Sequence, residues 1–133
     1  MRKILIPTDF SDNSRNAINY AMELFKYDRA HFYILHAYGD EVYQKSAKAD
    51  REEMENVKAE VLNQSGNMLE ELVATMKEKS GNPRHNYYHV SVFGSLVDEA
   101  NEYAERENVD IIVMGTRAER TTGILHLEVI RFR

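Results

Sequence analysis

Ile4-Leu5-Ile6-Pro7-Thr8-Asp9-Phe10-Ser11 is the stretch on which the fold turns. Three strand formers in a row, apolar without alternation, suit a strand buried on both faces of a parallel sheet. Pro7 and the polar stretch Asp9 to Asn13 end it. A helix is expected next. Ser11 or Asp12 can cap its exposed N–H groups, and Ala17, Ile18, Ala21, Met22, Leu24 and Phe25 recur at helical spacing.

Working outward from that unit, Phe32-Tyr33-Ile34-Leu35 reads as a second strand ending near Ala37, and residues 38–49, with Gly39 and Asp40, read as a loop. A long helix is expected from Ala49 to Lys79, with Met54, Val57, Val61, Met68, Leu69, Leu72 and Met76 on the stripe that lies on a sheet. Ser80-Gly81-Asn82-Pro83 stops it, since Gly suits a left-handed cap and Pro cannot continue a helix. Tyr87 to Phe93 alternates in polarity, which predicts an edge strand with one wetter face. Gly94-Ser95 opens a helix over Leu96–Glu107 that buries Leu96, Val97, Ala100, Tyr103 and Ala104. Ile111-Ile112-Val113-Met114 is a fourth buried strand stopping at Gly115. The alternation β-α-β-α-β-α-β predicts an open parallel α/β sheet of strand order 3-2-1-4, with right-handed crossovers and helices on both faces.

The last residues are a separate case. Leu125, Leu127 and Val129 alternate with His126 and Glu128, which is strand-like; a frayed tail is the competing reading. Without a preceding helix, a strand there cannot make a parallel crossover, which needs about a dozen residues or more. It pairs antiparallel or reaches to another copy, and an apolar strand with an open edge is a template for a second chain. A homodimer touching through residues 124–133 is the expectation.

The chain has 133 residues, 43% of them hydrophobic, no cysteine and a net charge of −5. That length fits one domain over 1–133, and neither an internal repeat nor a linker divides it. The acidic balance, with Lys and Arg spread along the chain, argues against a nucleic-acid partner. Thiol catalysis and thiolate metal sites are excluded. Arg2 and Lys3 lead into an apolar run too short for a signal peptide, and no stretch approaches the roughly 20 apolar residues of a membrane span. A cytoplasmic protein without a membrane partner is expected.

In open α/β sheets ligands sit outside the carboxyl ends of the strands, where strand order reverses. With strands 1 and 4 as neighbours, Pro7-Thr8-Asp9-Phe10-Ser11 meets Gly115-Thr116-Arg117 there. Asp9 offers a carboxylate to a ribose hydroxyl or a magnesium ion, Gly115 permits close backbone approach, and Arg117 suits a phosphate. Each has a plainer alternative: an aspartate after a strand commonly caps a helix, and a glycine at a strand end commonly makes a turn.

Residues 4–11 followed by Ser14 and Ala17, together with Val92-Phe93-Gly94 and Val109 to Arg117, resemble the universal stress proteins over residues 2–117. The resemblance implies an adenine nucleotide alpha hydrolase-like, Rossmann-like fold and a role in stress response or signalling. It also implies a homodimer through the last strand and, in many members, ATP or AMP with magnesium. The site residues it carries over are Pro7, Thr8, Asp9, Ala37, Met114, Gly115, Thr116 and Arg117. The family's ATP motif runs Gly, two residues, Gly, nine residues, Gly and Ser or Thr. Here Gly115 fits the first position, but Ala118 takes the second and Glu128-Val129 the closing pair, while Thr122-Gly123-Ile124-Leu125 resembles the middle of the motif displaced by two residues. The family pattern continues with a further helix and a fifth strand, whereas this sequence closes at Arg133. Ala118 adds a Cβ where backbone wraps phosphates and Glu128 adds negative charge, so ATP affinity is expected to be weak or absent. The base-and-ribose end of the site is intact.

Other classes fit less well. A phosphoacceptor receiver domain needs an acidic pair after strand 1 and an aspartate closing strand 3. A P-loop and a dinucleotide-binding turn need glycines that Thr8–Ser11 does not hold. His85 and His89 are four apart, as on a helix, but fall where a loop and strand 3 are read; in extended chain they lie roughly 13 Å apart, too far to share a metal ion, and read as exposed or edge-strand residues. His31 and His36 read as structural. No nucleophile with a base and no paired carboxylates mark an enzyme. The readings left are a stress-response domain that binds an adenine nucleotide weakly, a non-nucleotide dimerisation module, or a weak ATPase.

Overall fold

The computed structural model describes residues 1–116 and 126–131. The elements run β1 Arg2–Pro7, α1 Asp12–Leu24, β2 Ala30–Ala37, α2 Gly39–Lys45, α3 Arg51–Ser80, β3 His85–Val92, α4 Leu96–Arg106, β4 Ile111–Thr116 and β5 His126–Arg131. They build one sheet of order β3-β2-β1-β4-β5. β1 is parallel to both β2 and β4, and β2 is parallel to β3. The expected 3-2-1-4 parallel sheet is therefore present, with β3 at an edge.

Handedness distributes the helices. The steps from β1 to β2 and from β2 to β3 go the same way, so right-handed crossovers put α1 and α3 on one face. The step from β3 to β4 runs back over β2 and β1, which sends α4 to the other. Two cores result. Ile4, Ile6, Phe32, Ile34, Ile111 and Val113 meet α1 and α3, while Leu5, Leu35 and Ile112 meet Ala100 and Ala104 of α4.

β5 is a strand, as the alternation predicts, and it lies antiparallel on β4 with Val113 opposite Val129. The residues between Thr116 and His126 are too few for a parallel crossover. The short linking run leaves only the antiparallel return.

Three expectations need correction. Residues 38–49 are not all loop, because α2 occupies Gly39–Lys45. Its seven residues carry no side-chain N-cap bond, so little in the local sequence announces it. Tertiary contacts hold it: Val42 is buried against Tyr38 and Val61, and the Gly39 N–H donates to the Gly94 carbonyl at 3.2 Å. Val97 is 58% exposed rather than buried, since one residue beyond Leu96 is about 100° around the helix from it. Leu24 and Met68 likewise sit on outer faces, and Ser65, not an apolar residue, continues the buried stripe of α3.

Candidate functional site

The carboxyl end of β1 is set by a ladder of hydroxyls. Thr8, which is buried, has its N–H bonded to the Leu35 carbonyl at 2.8 Å. Its hydroxyl donates to Ser14 Oγ at 2.9 Å and accepts the Phe10 N–H at 3.0 Å. Ser11 is the N-cap of α1 and accepts from the Ser14 N–H at 3.3 Å. Asp9 therefore does not cap the helix. Its carboxylate accepts the Ser11 N–H at 3.0 Å in an Asx turn and leaves the residue exposed at the rim. Burial alone would raise the Asp9 carboxyl, but hydrogen bonds from the Ser11 side chain and backbone and from Ser14 hold it below the ordinary carboxylate range. A carboxylate fixed this way is a ready acceptor for a pair of hydroxyls.

Alternation along the strands places the remaining candidates. Pro7, Ala37 and Met114 share a parity with Leu5, Leu35 and Ile112, so they line the α4 face. They form an apolar shelf beside Thr8 and Asp9, with Val92 and Leu96 packed on the same core. Gly115 and Thr116 end β4 next to it. At Gly115 the close approach is by the protein itself, for a Cβ would lie 2.7 Å from the Asn13 carbonyl carbon in the first turn of α1. Arg117 and Ala118 lie outside the described residues, as does the side chain of Glu128. Asp9 brings one carboxylate to the crevice, and no cluster of three His, Asp or Glu side chains suited to a metal ion occurs among the described residues.

A polar chain on the other side of the turn was not singled out in the sequence. His36, at the end of β2, is buried with Nδ1 2.6 Å from Ser65 Oγ and Nε2 3.1 Å from Glu41 Oε1. Ser65 Oγ lies 2.7 Å from Ser91 Oγ. Its trace in the sequence is a serine interrupting the apolar stripe Val61–Leu69. The Phe10 ring packs 4.6 Å from the His36 ring, and the Phe10 backbone has φ +64°. A groove of about 410 Å³ between α1 and α3 begins at Phe10 and opens on the helix face rather than on the crevice between β1 and β4. His85 is on the edge strand but buried, its Nε2 bonded to the Phe25 carbonyl at 2.8 Å and its ring edge-on to Phe32, whereas His89 is exposed. Among the described residues no helix is long and apolar enough to cross a membrane.

Several solved structures share this architecture. The universal stress protein UspA from Lactobacillus plantarum aligns with TM-score 0.69 at 18% identity, over 92% of this chain and 81% of that one. The hypothetical protein MJ0577 gives 0.68 at 24% identity, over 92% and 78%. The hypothetical protein PH0823 gives 0.71 at 24% identity, over 93% and 82%. These identities establish a shared fold. No curated protein matches the sequence. The profile of the universal stress protein family, however, matches residues 1–127, which takes in both strands of the crevice. With that match over nearly the whole chain and the fold its members share, this protein belongs to the universal stress protein family and is a UspA-like stress-response domain.

Proposed function

We propose that this stress-response domain acts in the cytoplasm and binds an adenine nucleoside or nucleotide weakly at the carboxyl ends of β1 and β4. The observation that carries the reading is the Asp9 turn: an exposed carboxylate, locked by Ser11, at the edge of the apolar shelf of Pro7, Ala37 and Met114. The shelf receives the base, Asp9, on the turn that buried Thr8 anchors, accepts the ribose hydroxyls, and Gly115, Thr116 and Arg117 form the rim toward the phosphates. Ala118 and Glu128 weaken the phosphate end, so most of the affinity comes from base and ribose. Calorimetry tests this. Adenosine, AMP and ATP with magnesium bind with similar, weak affinity, and Asp9→Ala abolishes all three. Tight ATP binding that depends on magnesium sinks the reading.

A second function rests on β5. Among the described residues it occupies a sheet edge, with Val129 46% exposed and no described strand on its outer side. A homodimer formed through residues 124–133 covers that edge. Sedimentation of the chain shortened to end at Thr122 is the check. A shortened chain that remains a stable dimer places the interface elsewhere.

A further inference from the structure

The α1/α3 face of the sheet is apolar until its carboxyl end, where three elements turn polar at one level. On β2 the buried column Phe32, Ile34 is followed by His36. On β3 the register partner of His36 is Ser91. On α3 the buried series Val61, Leu69 is interrupted by Ser65, which is 1% exposed. The three meet in a continuous chain, Glu41 to His36 at 3.1 Å, His36 to Ser65 at 2.6 Å and Ser65 to Ser91 at 2.7 Å. Buried polar groups are costly unless each finds a partner, so a chain drawn from four elements is a built feature.

The direction of its hydrogens follows from the acceptor at one end. The Glu41 carboxylate accepts, so the network assigns the ring hydrogen to Nε2. Nδ1 then accepts from the Ser65 hydroxyl, and Ser65 accepts from Ser91. Above this fixed ring lies Phe10, the one described non-glycine residue besides Asn108 with a positive φ. A left-handed Phe is disfavoured by its Cβ and persists only when its surroundings over-determine it. Here the Phe10 N–H is held by Thr8 and its ring by His36. Asp9 and Ser11 flank it directly.

We propose that His36 is a positioning residue for the ligand turn: fixed in one tautomer by Glu41 and Ser65, its ring holds Phe10, and with it Asp9, in the ligand-receiving pose, and uptake of a second proton releases that hold. The inference rests on the nucleoside reading of the Asp9 crevice for its functional consequence. A protonated ring donates from both nitrogens, so Ser65 must stop donating to Nδ1 and turn its hydroxyl toward Ser91. The whole chain reverses around a buried charge. The charged groups that face the ring are Glu41 from α2 and Asp9 from the turn after β1; α3 and β3 present only the hydroxyls of Ser65 and Ser91. Burial pushes the imidazole below its ordinary value, and the attraction of Glu41 and Asp9 opposes this without cancelling it. The ring is therefore neutral in the folded chain above the ordinary histidine range and charges only on further acidification.

Nitrogen-15 NMR of the full chain without ligand tests the positioning directly. At about pH 7.5 the neutral ring carries its hydrogen on Nε2, and on acidification the Phe10 and Ser11 amides shift with the same midpoint as the ring. A ring that titrates while those amides stay still, or one with its hydrogen on Nδ1, overturns the proposal. Adenosine, which has no group ionising in this range, reads the consequence: its affinity falls once pH drops below the midpoint of the ring, by at most about tenfold for each further pH unit, and does not follow that midpoint in His36→Gln. If His36→Gln does not fold, Glu41→Gln replaces it, and the common midpoint of ring and amides moves to lower pH; an unmoved midpoint counts against the proposal. Adenosine that fails to bind at any pH sinks the nucleoside reading, while the ligand-free NMR still decides whether His36 positions the turn.

Discussion

The two ends of the sheet solve the same problem, returning the chain between strand and helix, in opposite ways. At the amino end, polar bonds tie loops to strand starts. Asp110 accepts the Lys3 N–H at 2.9 Å and returns its own N–H to the Lys3 carbonyl, and Asn82 Nδ2 donates to the Lys26 carbonyl at 2.8 Å. The left-handed positions there are Asn108 and Gly81, residue types that adopt φ near +55° readily. A Cβ on Gly81 meets nothing within 4 Å. At the carboxyl end Gly94 has φ +140° and Phe10, neither Gly nor Asn, has φ +64°, and backbones approach so closely that glycine is required. A Cβ on Gly115 would lie 2.7 Å from the Asn13 carbonyl carbon and closer still to its oxygen, and one on Gly39 would lie 2.7 Å from the Gly94 carbonyl oxygen. Strain and crowding collect where the crevice and the His36 chain are, which is the end that topology reserves for ligands.

The sharpest way to break this contrast is to add a methyl group at each end. Gly115→Ala forces α1 away from β4 and is expected to destabilise by about 2–3 kcal/mol, in the range of overpacked sites. Gly81→Ala bears only the left-handed penalty of about 1 kcal/mol. Urea unfolding of the two variants separates them; equal losses would mean that the carboxyl end yields as easily as the amino end.

A smaller effect is expected from glycine at the two strained residues. Phe10→Gly relieves the backbone but removes a ring packed on His36 and the α1/α3 core, for a net loss of about 1–2 kcal/mol. Asn108→Gly changes stability by less than about 0.5 kcal/mol, since Asn already tolerates that conformation. A Phe10→Gly protein more stable than its parent would show that the ring contact does not sustain the turn.

Acid titration gives the smallest contrast and has a definite sign. The folded carboxyl of Asp9 lies below its unfolded value, so its contribution is present above the ordinary carboxylate range and is lost as pH falls through the folded value. His36 is also depressed when folded, because burial outweighs Glu41 and Asp9. The unfolded chain therefore takes up the proton first. The stability conferred by neutral His36 is full above the ordinary histidine value near 6.5 and declines below it. Thermal melts should show a first decline in the histidine range that His36→Gln removes, and a second, in the carboxylate range, that Asp9→Asn reduces. A single decline confined to the carboxylate range would remove His36 from the account.

What the amino-acid sequence determined is what repeats locally. Continuous apolar runs at 4–6 and 111–114 mark buried strands, helical spacing marks α1, α3 and α4, and alternation marks β3 as an edge. From these the order 3-2-1-4 follows, and with it the placing of β1 beside β4; the motifs at 4–11, 92–94 and 109–117 carry the likeness to the family. Tertiary structure alone decided the rest. α2 has too few residues and too weak a cap to form on its own propensity, and exists because Val42 has a place against Tyr38 and Val61. His36, Ser65 and Ser91 look like isolated polar residues until parallel register and a helix set Ser65 2.6 Å from His36 and 2.7 Å from Ser91. Gly115 reads as room for a ligand, and packing gives that room to Asn13. Periodicity is a property of neighbours in the chain, whereas the partners of a buried polar group lie tens of residues away, and only the folded sheet brings them together.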